Sequence, residues 1–197
     1  MKQIHKTLFT TCLFFGILLL VMTTWAAPAF AKPGNKVTGN FVREISPEIA
    51  WEMSFNAHEA VENKKGRIRP AKGFAMGYRI RPDIPDEPLF WVMAVSCTEV
   101  ISENYARFAG IVVDHAYPEQ IGMPIAFEAY DYAQPGNDVD HLRPKTSGDF
   151  TEADCPASSG DCTAFEYAQA FCDGFSNPPD WAYWYVTEGN VRVHFVD

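Results

Sequence analysis

The residues best suited to chemistry lie in one acidic loop: Asp131, Asp138, Asp140 and His141, with Asn137 among them. Calcium takes about six to eight oxygen ligands, usually with several carboxylates close together. Asp131 and Asp138 converge if the loop between them closes. The spacing is not that of an EF-hand, which needs Asp-x-Asp-x-Asp-Gly and a closing Glu. His141 suits zinc better than calcium. The competing reading is that these aspartates accept hydrogen bonds from their own turn amides, as Asp commonly does in loops.

A second constellation is aromatic. In Trp181-Ala182-Tyr183-Trp184-Tyr185, a strand places Trp181, Tyr183 and Tyr185 on one face and Ala182 and Trp184 on the other. Rings on an exposed sheet face suit carbohydrate or peptide binding, because they offer flat area at low entropic cost. Alternatively, one face belongs to the core and the other covers a neighbouring loop.

The remaining candidates carry less. His58, His115, His141 and His194 have no helical zinc spacing, and His-Glu-x-x-His is absent. A His58–His194 pair across neighbouring strands is conceivable from topology alone. Ser158-Ser159-Gly160 is not the Gly-x-Ser-x-Gly elbow of a serine hydrolase. Glu52, Glu59 and Glu128 all fall on strand segments, and two of them would have to face one another to cleave a glycosidic bond.

These residues need elements to position them. Ile49, Trp51, Met53, Phe55 and Ala57 alternate with Ala50, Glu52, Ser54, Asn56 and His58, the period of a half-buried strand. A basic loop follows, then a second alternating run of Phe74, Met76, Tyr78 and Ile80. The two runs read as an antiparallel pair around which the chain is organised. Val37 to Ile45 is a first strand, with Gly39 and Asn40 suggesting an edge or a bulge. Leu89 to Val100 is nearly all apolar and reads as a central strand, Tyr105 to Val113 as its hairpin partner, and Pro124 to Tyr132 as another strand. From Ala133 to Pro179 the sequence turns rich in Asp, Gly, Ser and Pro, and reads as a long loop with one short helix over 163–171. Trp181 to Val186 and Val191 to Val196 close the chain.

Composition sets the compartment. Lys2 and Lys6 precede an uncharged, mostly apolar run, Cys12 to Met22, and Ala29-Phe30-Ala31 is a small-x-small site. This is the pattern of a secretory signal peptide over 1–31, cut after Ala31. The apolar run is shorter than the roughly 20 residues a membrane span needs, so the chain is not expected to be membrane-embedded after cleavage. Two of the 16 basic residues leave with the leader, so 14 remain against 25 acidic ones, a net charge near −11. That balance argues against nucleic acid, which requires a basic surface. What remains, 32–197, suits one domain, with 133–179 as a Cys-rich insertion.

Cys97, Cys155, Cys162 and Cys172 remain after the leader, and an even count in an exported chain implies disulfides. Cys155 and Cys162 are separated by small residues and turn formers that reverse direction easily, which leaves Cys97 for Cys172. The rival pairing joins Cys97 to Cys155 and Cys162 to Cys172.

At four points the sequence resembles a β-rich module that recurs in exported bacterial proteins. Phe55-Asn56-Ala57 leads into a strand pair ending in Lys72-Gly73-x-x-x-x-Tyr78. Glu103-Asn104-Tyr105-Ala106-Arg107-Phe108-x-Gly110 resembles the module's Gly-Asn-x-Ala-x-Phe-x-Gly hairpin. Asp131-Tyr132-Ala133-Gln134-Pro135-Gly136-Asn137-Asp138 resembles its Asp-x-Gly-x-Pro-Gly-x-x-Asp loop, with Ala133 in place of Gly. Glu188-Gly189-Asn190-Val191-x-Val193-His194 resembles its closing Gly-Gly-Asn-x-x-x-His strand. The resemblance implies a fold and no activity, and Gly148 to Phe175 stands as an insertion relative to it.

Together these features predict an all-β protein, an antiparallel sandwich or flattened barrel of about seven to nine strands with a disulfide-stapled insertion. Its expected role is that of an exported, non-catalytic module that binds a small ligand, a carbohydrate or a protein surface, with no cofactor unless the acidic loop holds calcium. The alternative is a small extracytoplasmic hydrolase working through carboxylates.

Overall fold

Strands that alternate large apolar with small or polar residues must bury one face, and here they do so by curling one sheet around its own side chains. The computed structural model describes residues 34–46, 48–62, 65–81, 89–132, 140–156, 161–180 and 183–196. The leader and its cleavage site, Asp138 and Trp181 lie outside the described residues. The described strands are β1 (Lys36–Ser46), β2 (Ile49–His58), β3 (Val61–Glu62), β4 (Ile68–Arg69), β5 (Lys72–Ile80), β6 (Leu89–Ser102), β7 (Tyr105–His115), β8 (Pro124–Tyr130), β9 (His141–Lys145), β10 (Trp184–Tyr185) and β11 (Glu188–His194). β3 and β4 form a small ribbon, and the other nine make one antiparallel sheet in the order β10-β9-β8-β7-β6-β5-β2-β1-β11. The fold is all-β, a curled half-barrel rather than two stacked sheets. Among the described residues, no helix is long and apolar enough to cross a membrane.

The two edge strands are consecutive in the chain. Only Val186 and Thr187 separate β10 from β11, and an extended chain covers at most about 3.6 Å per residue, so opposite edges of the sheet come together there. The Val186 amide donates to the Asp140 carbonyl at 2.9 Å on one side of this crossing. The Thr187 amide donates to the Val42 carbonyl at 2.9 Å on the other.

Inside the curl the rings of Phe41, Phe55, Phe108 and Phe127 pack in series, with centroids 6.3, 5.0 and 5.2 Å apart. Trp91 and Trp184 join Phe127 at 5.6 and 6.0 Å. Such pairs contribute about 0.5–1.5 kcal/mol each beyond the area they bury. Two glycines make room for this interior. A Cβ at Gly39 would sit 2.3 Å from the Phe55 ring, and one at Gly77 2.5 Å from the Trp91 indole nitrogen. Gly39 therefore marks a close approach. β1 is not an edge strand but lies between β2 and β11, and its bulge falls later, between Glu44 and Ser46.

β5 corrects an expectation. Its large residues Phe74, Met76 and Tyr78 are 44–45% exposed, whereas Ala75 is fully buried. The alternation is present, but the small residues face inward because Trp91 on the neighbouring strand already fills that volume.

The stretch 133–179, expected to be a long loop with one short helix, carries that helix, α1 (Ala164–Cys172), and also the strand β9. The helix starts at a capping box: the Glu166 amide donates to the Thr163 hydroxyl, and the Glu166 carboxylate accepts from the Thr163 amide at 2.7 Å. Its buried residues Ala168, Phe171 and Cys172 lie on the outer face of the sheet against Cys97, Ala109 and Ala126. Cys97 is bonded to Cys172, and Cys155 to Cys162.

Candidate functional site

The acidic loop is first. β11 is hydrogen-bonded to β1 along one edge, and the amides of Val191 and Val193 point to the other edge, where among the described residues no strand meets them. Two carboxylates stand there instead. Asp140 Oδ2 accepts from Val191 at 2.8 Å while its Oδ1 accepts from Tyr132 at 2.9 Å, and Asp131 Oδ2 accepts from Val193 at 3.0 Å. Asp131 and Asp140 thus bridge the seam of the half-barrel. His141 is drawn away into a ring cluster, and among the described residues no group of three or more His, Cys, Asp or Glu could hold a metal ion. An Asp140→Asn variant would turn one of the two acceptors into a donor facing a backbone amide. It should cost about 1–3 kcal/mol, seen as earlier thermal unfolding whether or not a chelator is present. A chelator that shifts the melt of the unaltered chain would support the metal reading.

The second place is the outer face of β7, β8, β9 and β10. The register sets Tyr105, Tyr130, His141 and Tyr185 in one row, and Arg107, Glu128 and Arg143 in the next. Glu128 is 2% exposed and accepts four hydrogen bonds. Tyr105 at 2.7 Å and Arg107 at 3.1 Å reach Oε1, while Tyr130 at 3.1 Å and Arg143 at 2.9 Å reach Oε2. Burial, followed by the bond to Glu128, holds the Tyr105 phenol far above its ordinary range, and burial with the Glu128 charge raises Tyr130 as well. A carboxylate with four donors has no lone pair to offer as a base, so Glu128 positions the two tyrosines. Of the other glutamates, Glu52 is exposed on β2, and Glu59, expected on a strand, lies just past the end of β2 and accepts from the Val100 amide, so the three do not converge.

Above this network the rings stack on one another. Tyr105 and Tyr130 are 4.7 Å apart, Tyr130 and His141 4.4 Å, and Tyr183 and Tyr185 lie tilted against His141 at 5.4 and 5.9 Å. Tyr183 and Tyr185 are 39% and 57% exposed. Rings packed face to face across a sheet cover one another's faces, and this limits the flat area they present. Trp184, on the opposite face, packs against the core.

His58 and His194 are not neighbours. Both are paired with Lys36 of β1, one on each side, and both imidazoles sit below their ordinary pKa through burial and then the Lys36 charge.

The third place is one that sequence reasoning missed. At one end of the half-barrel, the starts of β2, β6 and β8 and the end of β7 surround a cavity of about 320 Å³. It is lined by Trp51, Leu89, Trp91, Val112, Ile125 and Trp184, with His115, Gln120, Thr146 and Ser147 among the polar groups. The turn Pro118–Gln120 flanks it. Small-molecule sites occupy ~300–1,000 Å³, are mostly apolar with few polar groups, and recur in the mouths of β-barrels. A warning was present in the sequence: three of the tryptophans stand at or near strand ends. Their convergence is a property of the curl, which periodicity does not reveal.

Compared with known proteins, the chain matches no family model, no curated protein and no solved structure.

Proposed function

We propose that the protein is an exported, non-catalytic β module that holds a small ligand in the cavity at the end of its half-barrel. The observation that carries this reading is the cavity itself. It is concave and walled by three indoles, and its polar groups are confined to a few positions. Export is supported by the leader-like N-terminus and by two disulfides, which persist in oxidising compartments. The resemblance to β-rich modules of exported bacterial proteins fits the same reading. The outer ring cluster of Tyr183 and Tyr185 is then a surface feature separate from the ligand site.

The test is a thermal-shift and tryptophan-fluorescence screen with small aromatic and aliphatic compounds, run beside an Ile125→Trp variant that fills the cavity. A ligand at a hundredfold excess over its Kd stabilises by about 2.7 kcal/mol, a shift of several degrees. Ligands are expected to raise the melting temperature of the natural chain and leave the filled variant unmoved. Identical responses from both proteins across the screen would overturn the proposal.

A further inference from the structure

The polar groups around the cavity are unequal in what remains to them. His115 Nδ1 accepts the Tyr117 amide at 2.8 Å, so the imidazole proton sits on Nε2 and the ring's remaining polar group is a donor. Gln120 Oε1 accepts the Ser147 hydroxyl at 2.9 Å, which leaves the two N–H donors of its amide. The Thr146 hydroxyl donates to Asp149 at 2.7 Å. What His115 and Gln120 have left to give is therefore donor capacity.

A positive charge stands beside two of the cavity's indoles. Arg43 is the register partner of Trp51, and its guanidinium lies 4.9 Å from the ring centroid of Trp184. Both of those indoles line the cavity. Among the described residues, no carboxylate forms an ion pair with Arg43, whereas Arg107 and Lys145 each have one and Arg143 has two. Burial holds the Arg43 guanidinium below the usual arginine value, as expected for a charge partly removed from water with no acid to offset it.

We infer that the cavity takes a small aromatic or alicyclic carboxylate, its ring against Trp51, Trp91 and Trp184 and its anion toward Arg43, His115 and Gln120. Planar guanidinium is the side chain best matched to a carboxylate, and donors from imidazole and amide complete the recognition without a second charge. The ring supplies the apolar body that the indoles exclude from water. This inference rests on the cavity being the ligand site.

The experiment compares naphthalene-2-carboxylate with the isosteric naphthalene-2-carboxamide by titration calorimetry, on the natural chain, Arg43→Met and Ile125→Trp. The natural chain is expected to bind the carboxylate at least tenfold tighter than the amide. Arg43→Met should lose that preference and keep its affinity for the amide, with thermal unfolding confirming that the variant is folded. Equal affinities in the natural chain, or a preference that survives in Arg43→Met, would overturn the carboxylate assignment while binding lost in Ile125→Trp still upholds the site. Binding of neither compound to the natural chain, or binding unchanged in Ile125→Trp, would overturn both.

Discussion

A Glu128→Gln variant is expected to unfold well before the natural chain. The carboxylate sits between two guanidiniums and two phenols, all donating to it, on the face of the sheet away from the ring core. An amide keeps one acceptor and presents a donor to groups that are themselves donors. Arg107 and Arg143, each 14% exposed at the side chain, are left as charges with little water to screen them. Breaking a buried ion pair by removing one member costs about 3–5 kcal/mol. For a domain of this size that is a fall in Tm of roughly 6–20 °C. Replacing Glu128, Arg107 and Arg143 together by methionine should recover much of the loss, because no orphaned charge remains. Urea unfolding of the single and triple variants measures both. A single variant within about 1 kcal/mol of the natural chain would show the network to be solvated and its geometry unimportant.

The second large effect is the loss of the Cys97–Cys172 bond. It closes a loop of 75 positions, against 7 for Cys155–Cys162. The chain-entropy estimate is about 4 kcal/mol for the long loop and about 2 for the short one. Packing sharpens the difference. Phe171 is the only large side chain that α1 buries, and beneath it lie the small Ala109 and Ala126. Without the bond, few apolar contacts hold the helix to the sheet. A Cys97→Ser/Cys172→Ser double variant should therefore melt roughly 8–16 °C lower, and Cys155→Ser/Cys162→Ser roughly half as far. Limited digestion with chymotrypsin should cut the first variant within α1, at Phe165, Tyr167 or Phe171, and spare the second. Equal melting points for the two would refute the ranking.

Different parts of the molecule were legible to different degrees. β2 could be read because Met53, Phe55 and Ala57 form an alternation in which only one face is apolar. β5 shows the same period, but period alone does not say which face points inward. Gly77 and Ala75 are inside because the bulk comes from Trp91, a residue of another strand. β9 was hidden for a different reason. Its outward residues His141, Arg143 and Lys145 are polar because they meet Tyr130, Glu128 and Asp154, and Pro144 stands among them. A short strand whose outer face lies in an ionic network looks like a loop. In the acidic loop the carboxylates were legible, but the partners of Asp131 and Asp140 were not. The amides bound by Asp140 and Asp131 include those of β11, 51 and 62 positions away. The cavity could not be read at all, because its walls come from six separate segments of the chain.

The pairing of the first strand with the last bears on how the chain comes to be folded. Lys36 meets His194 and Val42 meets Glu188, so β1 keeps a bare edge until β11 arrives. The hairpin of β1 and β2 is local and can form early, but it waits beside an interior still lacking Val191 and Val193. Synthesis runs from the N-terminus, and closing so long a loop is the slow part of assembly. Throughout that interval an open strand edge is a template for a second nascent chain. The last seven residues of the sheet therefore act as the latch on biogenesis: a chain that stops short of β11 keeps most of its core residues and never loses its adhesive edge.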